Sequence, residues 1–181
     1  KNKLFSKFSG PSLGTSLEVF KLGTPIGFGI FVELSMYSGA AIILAPLGEN
    51  IVSGHAVALN IASIVFMLPL AIGLAASTRI GNLLGEKRYI EARYSSMVSV
   101  SLCFIGALFN MTLLITLGDK LISLYTTDLL VYSIASNLII FAAIFQIPDG
   151  IGMGSLGALR GYKDTFMTMV FIIIAYWVFA I

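Results

Sequence analysis

The sequence has few charged residues and almost no cysteine. Only 11% of its 181 residues are charged, against about 25% in an ordinary soluble domain. By contrast, 57% are hydrophobic, which is more than a soluble fold of this size has room to bury. The single cysteine, Cys103, excludes a disulfide framework within the chain. A net charge of +2 without a basic stripe gives no support to nucleic-acid binding. The composition predicts a polytopic membrane protein.

Enzyme signatures are also missing from the sequence. It contains neither an HExxH zinc motif nor a GxSxG nucleophile elbow, and no GxxxxGK phosphate loop. We therefore expect neither an enzyme nor an organic cofactor. A lone histidine, His55, lies a few residues inside an apolar run. We expect it to form hydrogen bonds at the membrane interface rather than to relay protons.

Long apolar runs take the place of these motifs. About 20 residues are needed to span a bilayer, and this length predicts about five helices: 22–46, 51–78, 94–118, 131–158 and a truncated 165–181. Helix is the expected element because an open sheet would leave backbone groups unpaired in lipid. The predicted fold is an all-α integral membrane bundle. Its third connection opens at Gly118 and its fourth at Arg160.

Basic residues indicate the orientation of the bundle. Ten of the eleven Lys and Arg residues lie in the N-terminal stretch or in the second and fourth connections. Only Lys120 lies on the opposite side. Because short cytoplasmic loops carry an excess of Lys and Arg, we expect the N-terminus to be cytoplasmic.

Two acids lie deep within the predicted spans. Glu33 is 12 residues from Lys21, and Asp149 is 11 residues from Arg160. At about 1.5 Å per residue, both carboxylates lie roughly 16–18 Å from the cytoplasmic side. Placing a charged side chain at this depth costs roughly 2.5–3.5 kcal/mol of free energy, so an acid inside the membrane indicates a functional site. We predict that Glu33 and Asp149 bind a proton or Na⁺, although an interhelical polar contact would also explain either residue.

Three further polar residues are weaker candidates for lining such a site. Tyr37 follows Glu33 by four residues and shares its helix face. Asn60 and Gln146 could each supply an amide oxygen to an ion, but an interhelical hydrogen bond is the more common role.

Two blocks of sequence resemble multidrug and toxic compound extrusion transporters of the NorM-like bacterial branch. The first contains FVELSMY, APLG, GHAVALNI and FMLPLAIGLAAS, and the second is FAAIFQIPDGIGMGSLGALRGYKDT. The resemblance implies twelve helices in two lobes, of which this chain holds the seventh helix through part of the eleventh. It further implies that Glu33 and Asp149 are the cation-linked acids. Phe145 departs from relatives with a tyrosine one turn before the aspartate, but it keeps an aromatic wall for a cationic drug.

The resemblance implies a multi-pass protein of the bacterial inner membrane that exchanges Na⁺ or H⁺ for cationic, amphipathic drugs. On this interpretation residues 1–16 form a cytoplasmic inter-lobe connection, and residues 17–181 form part of the C-terminal lobe. We expect a monomer in which the N-terminal lobe of the same longer chain completes the cavity. The alternatives are a flippase for lipid-linked or polysaccharide precursors, a membrane-embedded enzyme and a scaffold without transport activity.

Overall fold

Apolar helices make up nearly all of the chain that the structure describes. The computed structural model describes residues 12–178, in which the main elements are α1 (Leu13–Leu44), α2 (Glu49–Gly85), α3 (Tyr89–Tyr125), α4 (Leu129–Gly161) and α5 (Thr165–Ile173). A 3₁₀ turn, Ala45–Leu47, follows α1, and a π-helical segment, Ile174–Val178, follows α5. Within these residues four helices are long and apolar enough to cross a membrane, and a fifth is shorter. The predicted all-α membrane bundle is confirmed.

The helices extend beyond the predicted apolar spans. Helices α2 and α3 each contain 37 residues, which at about 1.5 Å per residue reach well past a hydrocarbon core of about 30 Å. The prediction that the third connection opens at Gly118 is wrong, because α3 continues to Tyr125. The fourth connection likewise begins after Gly161 rather than at Arg160. A helix that leaves the lipid keeps its backbone hydrogen bonds, so an apolar run marks the membrane and not the helix end.

The two ends of the sequence fall partly outside the described residues. The predicted connection 1–16 is described only from residue 12, and α1 already begins at Leu13. The predicted span 165–181 is described up to residue 178.

The α2–α3 and α4–α5 connections share one turn geometry. Each contains a lysine in the left-handed region, with φ 62° at Lys87 and 63° at Lys163. The next amide then bonds back five residues, from Arg88 to the Leu83 carbonyl at 2.9 Å and from Asp164 to the Leu159 carbonyl at 3.0 Å. This pattern is a Schellman ending, which satisfies the last carbonyls of a helix. Both connections lie on the predicted cytoplasmic side.

Helices α2, α3 and α4 pack together as a three-helix unit. Glycines on α4 allow this contact, as expected for small residues in membrane helices. A Cβ on Gly157 would lie 2.8 Å from the Cα of Gly73 on α2, and one on Gly154 would lie 2.9 Å from the Cα of Val100 on α3. The side chains buried between the three helices are Ile61, Leu114, Ile122, Ala135, Ile139 and Ala143.

Helix α1 packs mainly against α5 and makes few contacts with α2. Gly29 forms part of the α1–α5 contact, since a Cβ there would lie 3.0 Å from Cδ1 of Ile172. In contrast, a Cβ on Gly23 or Gly27 would meet no atom within 4 Å among the described residues. The bundle therefore consists of the α2–α4 unit and the α1–α5 pair.

Candidate functional site

Glu33 lies at the middle of α1 and is partly buried. The hydroxyl of Tyr176 donates a hydrogen bond to Oε1 of Glu33 at 3.3 Å. Tyr176 belongs to the π-helical segment that follows α5, so the α1–α5 packing brings it to the carboxylate. The wider turn of a π-helix changes which side chains face a neighbour and often occurs at functional sites.

Tyr37 lies one turn beyond Glu33 on the same face of α1, as its spacing predicts. Its ring centroid lies 6.5 Å from that of Tyr176, with the ring planes tilted by 58°. This separation is within the range of a tilted aromatic pair. The two tyrosines thus form an aromatic edge beside the Glu33 carboxylate, and Tyr37 still exposes 37% of its surface.

Asp149 lies on α4 and is partly buried. Its carboxylate and that of Glu33 lie within electrostatic reach of each other, although α1 and α4 do not pack directly against each other in the described part of the chain. Tyr37 lies within electrostatic reach of both acids. The structure therefore places two acids, one on α1 and one on α4, within electrostatic reach of each other. Their equal depth in the membrane stays a prediction. We call Glu33, Tyr37, Asp149 and Tyr176 the carboxylate cluster.

Arg160 lies on the predicted cytoplasmic side of the cluster. It lies in the last turn of α4 and is partly buried, and its Nε atom is buried without a hydrogen-bond partner among the described residues. Its guanidinium is within electrostatic reach of Glu33. The sequence had indicated Arg160 only as a loop residue that marks orientation.

The other sequence candidates lie outside the carboxylate cluster. Asn60 is exposed and accepts a 2.7 Å hydrogen bond from the hydroxyl of Tyr125 on α3. Gln146 is 3% exposed and accepts a hydrogen bond from Asn110. Both amides therefore make the interhelical contacts that the sequence left open. Phe145 is 61% exposed on α4.

Sequence reasoning missed two residues of this site, Tyr176 and Arg160. Tyr176 has a weak signal in the sequence, since a tyrosine among aliphatic residues of a short apolar run has a hydroxyl that needs a partner. The partner itself depends on how α5 packs against α1. Arg160 was missed because α4 extends beyond its apolar run and includes this residue, which the sequence had assigned to a connection.

The carboxylate cluster presents oxygen atoms and aromatic faces to one region. Carboxylate and hydroxyl oxygens suit hard cations, and tyrosine faces attract organic cations. Residues 12–178 contain no group of three or more His, Cys, Asp or Glu side chains that would hold a metal ion. A Na⁺ ion bound here would therefore complete its ligands with hydroxyl oxygens, backbone carbonyls or water.

Comparisons with known proteins agree on one family. The family model described as MatE matches residues 25–181. The multidrug resistance protein NorM of Vibrio vulnificus (strain YJ016) is 41% identical over 175 residues, covering 97% of this chain and 38% of the relative. The multidrug resistance protein PmpM of Pseudomonas aeruginosa is 36% identical over 176 residues, covering 97% and 37%. A probable multidrug resistance protein NorM of Bacillus cereus (strain ATCC 10987 / NRS 248) is 37% identical over 175 residues, covering 97% and 38%. The chain thus spans less than two fifths of the length of these relatives.

Proposed function

Because the chain belongs to the MatE family, whose members are transporters and not enzymes, we propose that it forms part of a multidrug efflux antiporter. The protein would export cationic, amphipathic compounds in exchange for Na⁺ or H⁺. The observation that carries this proposal is that Glu33 and Asp149, two acids on different apolar helices, lie within electrostatic reach of each other. Three relatives named as multidrug resistance proteins support the drug class.

The two acids would bind either the coupling cation or the drug, one after the other in the transport cycle. Two close carboxylates in a membrane are costly when both are charged, so a bound Na⁺ or proton relieves their repulsion. An organic cation relieves the same repulsion, and the two ligands therefore compete. Competition at one site near the bilayer midplane is the requirement for antiport by alternating access. The Tyr176 hydroxyl would hold Glu33 in the orientation that binds the cation, and it would keep this hydrogen bond while the cation is bound.

The division of the bundle suggests which parts move. Helices α1 and α5 pair with each other, whereas α2, α3 and α4 form the other unit. Glu33 and Tyr176 lie on the first part and Asp149 on the second, so a cation shared by both acids would hold the two parts together. Releasing the cation would let them separate.

We further propose that the protein is a monomer in the bacterial inner membrane with the N-terminus of this chain in the cytoplasm. The distribution of Lys and Arg supports this orientation. Since the relatives are much longer than this chain, the remaining part of the protein would supply the other wall of the cavity.

Export of a fluorescent organic cation by the full-length protein tests this function. Glu33→Gln and Asp149→Asn should each strongly slow export driven by a Na⁺ or proton gradient and leave a measurable residual rate, because each amide cannot carry the exchangeable charge. Glu49→Gln is a matched control, since Glu49 is exposed in the first turn of α2. Export at the control rate in both variants would overturn the proposal.

A further inference from the structure

A buried amide pair links the three helices of the α2–α4 unit. Nδ2 of Asn110 on α3 donates to the Val65 carbonyl of α2 at 2.7 Å and to Oε1 of Gln146 on α4 at 3.2 Å. Nε2 of Gln146 donates to the Ala62 carbonyl of α2 at 3.4 Å. Asn110 is 2% exposed and Gln146 is 3% exposed. Both amides are thus satisfied by groups of the other two helices.

The Val65 carbonyl is a specific target for this pair. In a regular helix it would accept a hydrogen bond from the amide of residue 69, but residue 69 is a proline inside α2. Proline has no N–H, so the carbonyl four residues earlier loses its donor. A carbonyl without a donor inside a membrane costs several kcal/mol. Asn110 supplies the missing hydrogen bond from another helix.

The α4 end of the pair lies next to the carboxylate cluster. Gln146 precedes Asp149 by one helical turn, and Pro148 between them removes a hydrogen bond from α4 itself. This turn of α4 therefore depends on contacts with other helices. On its other side Gly150 packs against α3, where an added Cβ would lie 2.6 Å from Cβ of Ala107. Asp149 is thus held between a hydrogen-bonded residue and a close helix contact.

We propose that Asn110 and Gln146 are positioning residues that fix the Asp149 turn of α4 to the proline site of α2. This role rests on the proposed function, because it gives the amide pair a part in cation binding. Loss of the pair lets the turn around Asp149 open and move the carboxylate relative to Glu33. The affinity for the coupling cation then falls, although neither amide touches the cation.

Two readouts on the purified full-length protein test this role. The first is hydrogen–deuterium exchange of the peptide that contains residues 144–152. The second is the NaCl concentration at which protection of that peptide from exchange is half-maximal, with KCl keeping the ionic strength constant. Without Na⁺, the pH of half-maximal protection is measured instead. The test variant is Asn110→Leu, which has a similar size and no hydrogen-bonding group. The control is Asn137→Leu, whose amide bonds only to the Ser133 carbonyl of its own helix.

We expect Asn110→Leu to speed exchange around Asp149 and to shift half-saturation by roughly five- to thirtyfold, as the loss of one or two hydrogen bonds predicts. Gln146→Leu keeps the bond from Asn110 to Val65, so it should fold if Asn110→Leu does not and give a smaller shift in the same direction. Asn137→Leu should behave as the wild type.

Three results would overturn the role. Unchanged half-saturation in both test variants, with or without faster exchange, means that the pair only satisfies buried groups. If Asn137→Leu changes exchange and half-saturation as much as Asn110→Leu does, the loss of any amide side chain has this effect. If neither Na⁺ nor acid protects the wild-type peptide, the proposed function fails and the positioning role fails with it. Either of the first two results, obtained with a wild-type peptide that is protected, overturns the positioning role alone.

Discussion

The hydroxyl of Tyr176 donates a hydrogen bond to Oε1 of Glu33 across 3.3 Å. This contact joins the π-helical end of the chain's described part to the middle of α1, 143 residues earlier in sequence. It also lies beside two acids of different helices, Glu33 and Asp149, that are within electrostatic reach of each other. The bond therefore couples the position of α5 to the carboxylate proposed to carry the cation.

Removing this hydroxyl should weaken cation coupling without abolishing export. Tyr176→Phe keeps the ring beside Tyr37 but leaves Glu33 without its donor, at a cost of about 1 kcal/mol, or roughly fivefold in half-saturating Na⁺. Na⁺-dependent export by the full-length protein measures this shift. Tyr94→Phe is the control, because Tyr94 is 70% exposed on α3. An unchanged dependence of export on Na⁺, or on pH where a proton is the coupling ion, in Tyr176→Phe would show that the contact is incidental.

The closest helix crossing predicts a large difference between two glycines of α4. Gly157→Ala would place a methyl group 2.8 Å from the Cα of Gly73, whereas a Cβ on Gly152 would meet no atom within 4 Å among the described residues. Overpacking of this kind costs about 1–3 kcal/mol. Gly157→Ala should therefore inactivate faster on heating in detergent than Gly152→Ala. Equal rates for the two variants would contradict the packing of α2 on α4.

The predicted orientation can be tested with single cysteines. In a full-length protein whose other cysteines are replaced, Lys120→Cys should react with a membrane-impermeant maleimide added to intact cells. Lys87→Cys should react only after the cells are permeabilised, because its connection is expected to be cytoplasmic. A control variant keeps Cys103 as its single cysteine. Because Cys103 is fully buried, this variant should not react with the maleimide. The reverse accessibility would show that the orientation is inverted.

The sequence predicted the helices because these depend on local properties. The level of the two acids rests on the same properties and stays a prediction. Apolar run length and a fixed rise per residue place Glu33 and Asp149 at matching depth. The approach of Tyr176 could not be predicted in this way, since it requires the packing of α5 on α1 and a π-helical turn. The direction in which the Gln146 side chain points could not be predicted either. It lies only three residues before Asp149, yet the rotation of α4 in the three-helix unit turns it towards Asn110.

Helix ends were the least predictable feature, for a physical reason. Hydropathy reports where the chain meets lipid, whereas α3 ends where Thr126 takes an extended conformation. This difference is why Arg160, in the last turn of α4, was assigned to a loop although it lies within reach of Glu33.

A double-mutant cycle on gradient-driven export tests most directly whether Glu33 and Asp149 share one cation. Initial rates of export of a fluorescent organic cation would be compared for wild type, Glu33→Gln, Asp149→Asn and the double variant of the full-length protein. Residues that act on one ligand are strongly non-additive, so we predict that the double variant is no slower than the slower single variant. Independent losses whose logarithms add in the double variant would contradict a shared site.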